Sequence, residues 1–183
     1  MRKIIATINM TLDGIFDHTA GLADDEILKH YTELLDQADL ILYGRTTYQL
    51  MEFWRTMLEN PSDKKPMNDF AIAIDKIPKI VFSHTLKDVD WDSARLSDQA
   101  IEEEVLELKQ QSGNDILVGS RSLILQLMKL NLIDEYQLCV HSVVAGSGLP
   151  LFENINDRTI LKLIKTKTVS SNAVTLYYEP ANR

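Results

Sequence analysis

Two rhythms alternate along the chain. KIIATIN (residues 3–9), DLILYG (39–44), KIVFS (79–83) and DILVG (115–119) are short runs, mostly apolar and rich in β-branched residues. They have the pattern of strands buried on both faces. Between them, apolar residues recur every three or four positions. Ile27, Tyr31, Leu34, Leu35 and Ala38 follow Asp24 and Asp25, acids placed at the favoured end of a helix. RTTYQLMEFW reads as helical to about Trp54, and NDFAIAIDK (68–76) follows a surface loop, ENPSDKKP (59–66), that carries two prolines. After a polar connection, DQAIEEEVLELKQQSG turns Ile101, Val105 and Leu108 inward and is expected to stop at Gly113, and SLILQLMKL (122–130) is a last helix.

From Ile133 the period changes to two. Tyr136, Leu138 and Val140 fall on one face, with Gln137, Cys139 and His141 on the other. ILKLIKTKTV and AVTLYYE, separated by Ser170-Ser171-Asn172, read as a hairpin. Strand–helix repeats followed by strands alone predict a three-layer α/β sandwich. Its central sheet is mixed and mainly parallel, with a C-terminal antiparallel hairpin at an edge, in one domain spanning residues 1–183.

Composition narrows the classes. With 183 residues, 45% hydrophobic, folding is expected to bury about 70% of the surface that the unfolded chain exposes. The single cysteine, Cys139, excludes an intrachain disulfide and a cysteine-rich zinc site, and points to a reducing, cytoplasmic location. The basic, then apolar start MRKIIATINMTLDG is interrupted by Asn9 and Asp13 and reads as a first strand, not a signal peptide. No run reaches the ~18 apolar residues of a membrane span. A net charge of −8 without a Lys/Arg stripe argues against a nucleic-acid partner. His18, His30, His84 and His141 show no metal-ligand spacing, so no metal is expected.

Candidate chemistry lies at the strand ends, because ligands of open α/β sheets sit beyond the carboxyl ends of parallel strands. Three joints at these ends are alike: Gly44-Arg45-Thr46-Thr47, Ser83-His84-Thr85 and Gly119-Ser120-Arg121-Ser122. A helix start offers free N–H groups, small residues admit an anion, and hydroxyls and guanidinium add donors. Each joint alone is an ordinary turn or cap. Three on one sheet edge point to a ligand with several separated phosphates, such as a dinucleotide. Neither a Gly-x-Gly-x-x-Gly fingerprint nor a Walker loop is present.

In order and spacing, ATINMTLDGIF, LILYGRTTYQLMEFW, KIVFSHTL and DILVGSRSLILQLMKLNLIDEYQLCVHSVVAGSGLPLF resemble the dihydrofolate reductase-like superfamily. The closer resemblance is to the group sharing the reductase domain of the bifunctional riboflavin-pathway deaminase-reductase. It spans essentially the whole chain. It is most specific at Gly44-Arg45-x-Thr47-Tyr48 and from Asp115 through Phe152, including Leu132-Ile133-Asp134-Glu135 and Gly146-x-Gly148-x-Pro150-Leu151-Phe152.

The resemblance implies an NADPH-dependent reductase acting on a small pterin-like or ribosylaminopyrimidine-like substrate. By matching positions, Gly44 to Thr47 (Arg45 and Thr46 between them) and Gly119 to Leu123 would cradle the pyrophosphate. Ser83, His84 and Thr85 would lie near the adenosine ribose and its phosphate, and the Asp13-Gly14 turn would flank the nicotinamide. Departures are visible. Ser120 stands where the family usually has Gly-Gly, and His84 where dihydrofolate reductases often have Arg, which leaves NADPH against NADH open. The Asp-Pro-x-Leu-Thr-x-Arg pattern of the riboflavin-pathway reductases is missing, as is any deaminase zinc signature.

Trp54, with Phe53 and Met57, either walls a flat heteroaromatic substrate or packs a helix. Asp13 either positions substrate or simply makes its turn. The sequence identifies no proton donor. The rival to a reductase is a non-catalytic nucleotide-binding module that keeps the cofactor groove. A homodimer, pairing through the long C-terminal strand and the GLPLF loop, is the expected assembly.

Overall fold

The computed structural model describes residues 1–16, 18, 19, 21, 22, 24–155 and 158–181. An eight-stranded sheet is built from β1 (Ile4–Thr11), β2 (Leu40–Gly44), β3 (Lys79–Phe82), β4 (Ala94–Leu96), β5 (Ile116–Val118), β6 (Glu135–His141), β7 (Leu161–Ser170) and β8 (Ala173–Pro180). Among the described residues, six helices accompany it: α1 (Asp25–Gln37), α2 (Arg45–Met51), α3 (Phe53–Glu59), α4 (Lys65–Lys76), α5 (Ile101–Gln110) and α6 (Arg121–Lys129). Strand order is β4-β3-β2-β5-β1-β6-β8-β7. Pairing is parallel from β4 through β6 and antiparallel for β6–β8 and β8–β7.

The alternation of each strand divides the core between two faces. Ile4, Ala6 and Ile8 of β1, Leu40 and Leu42 of β2, and Ile116 and Val118 of β5 pack under α5 and α6 with Val105, Leu108, Leu123, Ile124 and Leu127. The intervening Ile5, Ile41, Tyr43 and Leu117 pack on the other face against Leu35 of α1, Tyr48 of α2, and Phe70 and Ile74 of α4. The expected sandwich is therefore the observed one. Asp134, inside the Leu132–Glu135 motif, ties its layers together: its carboxylate accepts from Ile4 N at 2.7 Å and pairs with the buried Lys109 of α5.

Several expectations are corrected. The segment read as a polar connection contains β4, a three-residue edge strand too short to display a period. The helix after β2 runs on to Glu59 as two helices meeting at Glu52, where Arg55 N bonds back three residues to Glu52 O at 3.1 Å. That tighter bond resets the ladder. Helix α5 ends at Gln110, short of Gly113; Gly113 lies beyond it at φ +139° with no room for a Cβ against the Asp39 carboxylate. In β6 the face carrying Gln137, Cys139 and His141 is as buried as the other, and Ile27 and Tyr31 of α1 pack with Cys139, Val169 and Ala173. With β1 and β8 on its two sides, β6 has no edge on which to pair subunits. On this side of the sheet the edge strand is β7, which is blunted by Lys162, Lys165 and Lys167 and by two bulges.

One buried cation supports the outer half of the sheet. Lys79, the first residue of β3, is 1% exposed. Its ammonium donates to Ile77 O at 2.8 Å, Asp75 O at 3.3 Å and Ser93 Oγ at 2.7 Å, and lies 4.1 Å from the centre of the Trp91 ring. It thereby satisfies carbonyls at the end of α4 that would otherwise be orphaned. Burial pulls its pKa from 10.5 down to about 8. Between those values the unfolded chain holds a proton that the folded chain has released, so stability rises with pH across that window, by at most about 3 kcal/mol. Urea unfolding of wild type and Lys79→Met at pH 8 and pH 10.5 is expected to show their difference moving toward the wild type by ~1–3 kcal/mol. A difference that does not change with pH would contradict this account.

Candidate functional site

β2 and β5 are neighbours, but the helices that follow them leave on opposite faces. Tyr48 of α2 enters the α1–α4 face, whereas Leu123, Ile124 and Leu127 of α6 enter the other. This divergence opens a crevice at the carboxyl ends of the two strands, the topological switch point of the sheet. It brings the first and third sequence joints together. Gly44 N donates to Ser120 Oγ at 2.8 Å, and a Cβ on Gly44 would stand 3.1 Å from Ser122 Oγ. Gly119 lies against Tyr43, where a Cβ would stand 3.2 Å from the ring. Both glycines are thus explained first by the close meeting of the two joints.

The buried Ser120 sits at the N-cap of α6 without capping it, since its hydroxyl is turned across to β2. Helix α2 also begins without a side-chain cap. Two helix starts with uncapped first turns therefore face one crevice, each with a partial positive charge. Leu123 is buried in the core, so only its backbone is offered there. Arg121 is turned elsewhere: Nε donates to Pro150 O at 2.6 Å, and Nη2 lies 2.6 Å from Glu153 Oε1.

The middle joint differs from the other two. No helix begins at Ser83-His84-Thr85; Ser83 Oγ instead accepts from Thr85 N at 3.1 Å and Leu86 N at 3.0 Å, closing a small hydroxyl-capped turn. Its link to the crevice is Arg45, whose Nη1 donates to Thr85 Oγ1 at 2.7 Å. Arg45, Thr46, His84 and Thr85 are exposed, and Thr47 is half-buried. All three joints are brought to one rim.

The Asp13-Gly14 turn lies beyond β1. Asp13 Oδ1 accepts from Thr11 Oγ1 at 2.6 Å and Ala145 N at 3.1 Å, and Oδ2 accepts from Gly146 N at 2.8 Å. These bonds, led by Thr11, pull its pKa from 3.8 down to about 2. Gly14 has φ +79°, the left-handed conformation that favours glycine, and its carbonyl accepts from Leu151 N. Asp13 therefore fastens the turn to the 143–151 loop. Trp54 stacks edge-on against Phe70 of α4, with ring centres 4.6 Å apart, and is half-buried in the core beside Met51.

Sequence reasoning passed over one group. Asn9, Tyr31 and His141 form a hydrogen-bonded cluster at the ends of β1 and β6 under α1. The available signal was an amide interrupting an otherwise apolar strand.

These layers, this strand order and a crevice at the switch point define a dihydrofolate reductase-like α/β fold. The chain belongs to the RibD C-terminal domain family, whose model matches residues 2–175. It is 36% identical over 181 residues to the uncharacterized protein YyaP of Bacillus subtilis, covering 97% of this chain and 94% of that one. Among solved structures, it resembles a Shewanella sp. PV-4 protein whose description suggests a role in riboflavin biosynthesis (TM-score 0.71, 19% identity, 98% and 99% of the two chains). It also resembles the dihydrofolate reductase of Enterococcus faecalis, solved with NADP(H) (TM-score 0.65, 13% identity, 98% and 97%).

The Asp13 carboxylate supports the turn while it is ionised. Its contribution is complete above the ordinary pKa of 3.8 and is lost as pH falls toward 2. Hydrogen-exchange protection of Ala145 and Gly146 is expected to drop between pH 4 and pH 2, and to be low at both in Asp13→Asn. Protection in wild type that ignores pH over this range would refute the role.

Proposed function

We propose that this protein is an NADPH-dependent reductase that transfers hydride to a small pterin-like or ribosylaminopyrimidine-like substrate. The observation that carries the proposal is the meeting of two uncapped helix starts at the β2/β5 crevice, with Arg45 and Thr85 joined on its rim. This arrangement fits a pyrophosphate-bearing dinucleotide. The N–H groups from Arg45 to Thr47 and from Arg121 to Leu123 would hold the pyrophosphate. Arg45, Ser83, His84 and Thr85 would hold the ribose and its phosphate. Membership in a family built on a reductase domain supports the same chemistry.

When bound, the cofactor supplies the hydride. The chain's part is to orient two flat rings and keep water from between them. Asp13 holds its turn closed against the 143–151 loop, and Gly14 lets that turn reverse tightly. Trp54, fixed by Phe70, stiffens α3 beside the crevice-forming α2. The second reading, a nucleotide-binding module without turnover, is favoured by Arg121, whose guanidinium is committed to Pro150 and Glu153 and not to the joint. NADPH that binds but is not oxidised with any pterin or ribosylaminopyrimidine would select that reading. A small molecule is the partner in both, and a second copy of the chain would use a surface other than β6.

Arg45→Ala tests the cofactor site. Loss of a charged hydrogen bond costs about 1.5–3 kcal/mol, so NADPH affinity measured by calorimetry should fall ~10–100-fold. Because Arg45 is exposed, the melting temperature should scarcely move. Unchanged affinity would remove Arg45 from the site.

A further inference from the structure

β1 lies inside the sheet between β5 and β6, and its residues from Ile4 to Ile8 are all buried, yet Asn9 is exposed. Asn9 lies three residues past the last pair of β1 with β5, Ala6 with Val118, so it stands beyond the carboxyl end of β5 at the margin of α1, whose Tyr31 reaches it. By alternation Asn9 is on the Ile5 face, the one packed by α1, α2 and α4, and its strand adjoins β5, which leads into the Gly119–Leu123 joint. It therefore stands at the same carboxyl-end edge of the sheet as the proposed cofactor crevice.

The orientation of its amide is decided by its neighbours. His141 Nδ1 accepts from Leu22 N at 3.1 Å, so the single proton of the neutral ring is on Nε2, 3.0 Å from Asn9 Oδ1. Tyr31 donates its hydroxyl to the same oxygen at 3.0 Å. Burial holds His141 below and Tyr31 well above their ordinary pKa values, which keeps the imidazole neutral and the phenol protonated. Turning the amide over would set N–H against two donors. Its Nδ2 hydrogens consequently point away from the cluster and find no acceptor among the described residues. The acids that open α1 are occupied: Asp24 caps Ile27 N at 2.9 Å and bonds Ser170, and Asp25 lies 3.8 Å from Lys64.

We infer that Asn9 is a specificity-determining donor, whose outward Nδ2 reads a carbonyl oxygen on the substrate ring, so that the site selects an oxo-substituted pyrimidine ring over an amino-substituted one. The inference rests on the reductase reading for the placement of substrate. A polar site left unpaired by the wrong ring discriminates strongly, whereas an apolar wall would not.

The test uses two flat probes, lumazine (2,4-dioxopteridine) and 2,4-diaminopteridine, titrated calorimetrically into the intact protein with and without saturating NADPH. Wild type should bind lumazine at least ~10-fold more tightly. Asn9→Asp has the same shape and still accepts from Tyr31 and His141, but it turns an acceptor outward, so the preference should invert by ~10-fold or more. Asn9→Ala should discriminate little. Equal preferences in wild type and Asn9→Asp, a wild-type preference for the diamino ring, or binding of neither ring at millimolar concentration would each overturn the inference. Inversion without any NADPH saturation would instead sink the reductase reading and leave the role of Asn9 standing.

Discussion

The functional geometry depends on one constraint of connectivity. β5 is inserted between β1 and β2 late in the chain, after β3 and β4 have extended the sheet outward, and its helix must pass to the face that α2 does not use. Two adjacent parallel strands then end with backbones diverging to opposite layers. No side chain has to dig the resulting crevice, because the topology leaves it open. What the residues must do is keep the two ends close. The Gly44 N–Ser120 Oγ bond does this, and neither glycine on the two strand ends can be enlarged without displacing Ser122 or Tyr43.

Much of this was legible in the sequence because the strands are short, apolar and bounded by glycine or polar residues, so their identity did not depend on tertiary context. β4 was not legible, since three half-exposed residues at a sheet edge carry no period. The polar face of β6 looked like a solvent face because alternation reports which side chains share a face, not what covers it. Here Ile27 and Tyr31 of α1 pack with Cys139, Val169 and Ala173, and the whole face is buried. At the site, the joints were visible as small and hydroxylic residues, but their partners were not. Nothing in the sequence indicates that Arg121 turns to Pro150, that Ser120 reaches Gly44, or that Ser83 closes its own turn. Each of these is a contact between segments or a local conformational choice. For the same reason Asn9 was read only as an interruption.

Two polar devices divide the work beside the crevice. Asp13 is saturated: a hydroxyl and two backbone N–H groups occupy its oxygens, and the carboxylate acts on the loop it fastens. Asn9 is half-saturated: its oxygen is occupied, while its nitrogen has no acceptor among the described residues. A saturated buried or rim group specifies structure, whereas a group pinned on one side and open on the other is oriented in advance for a ligand. The distinction is drawn by counting partners, and exposure alone would not make it, since both side chains are exposed.

The net charge of −8 bears on how an anionic cofactor would be held. At a distance the protein repels a dinucleotide, but at physiological ionic strength that field fades over about 8 Å. Inside the crevice the two helix starts contribute about 0.3–1 kcal/mol each at exposed sites. Direct bonds from a guanidinium or N–H to a phosphate contribute roughly 1.5–3 kcal/mol apiece. With Arg121 committed elsewhere, Arg45 is the one cation among the three joints left to face the crevice, and even it is oriented by Thr85. Recognition of such a cofactor would then rest mainly on backbone N–H groups, whose positions are set by the fold, and the acidic surface would work against it only weakly.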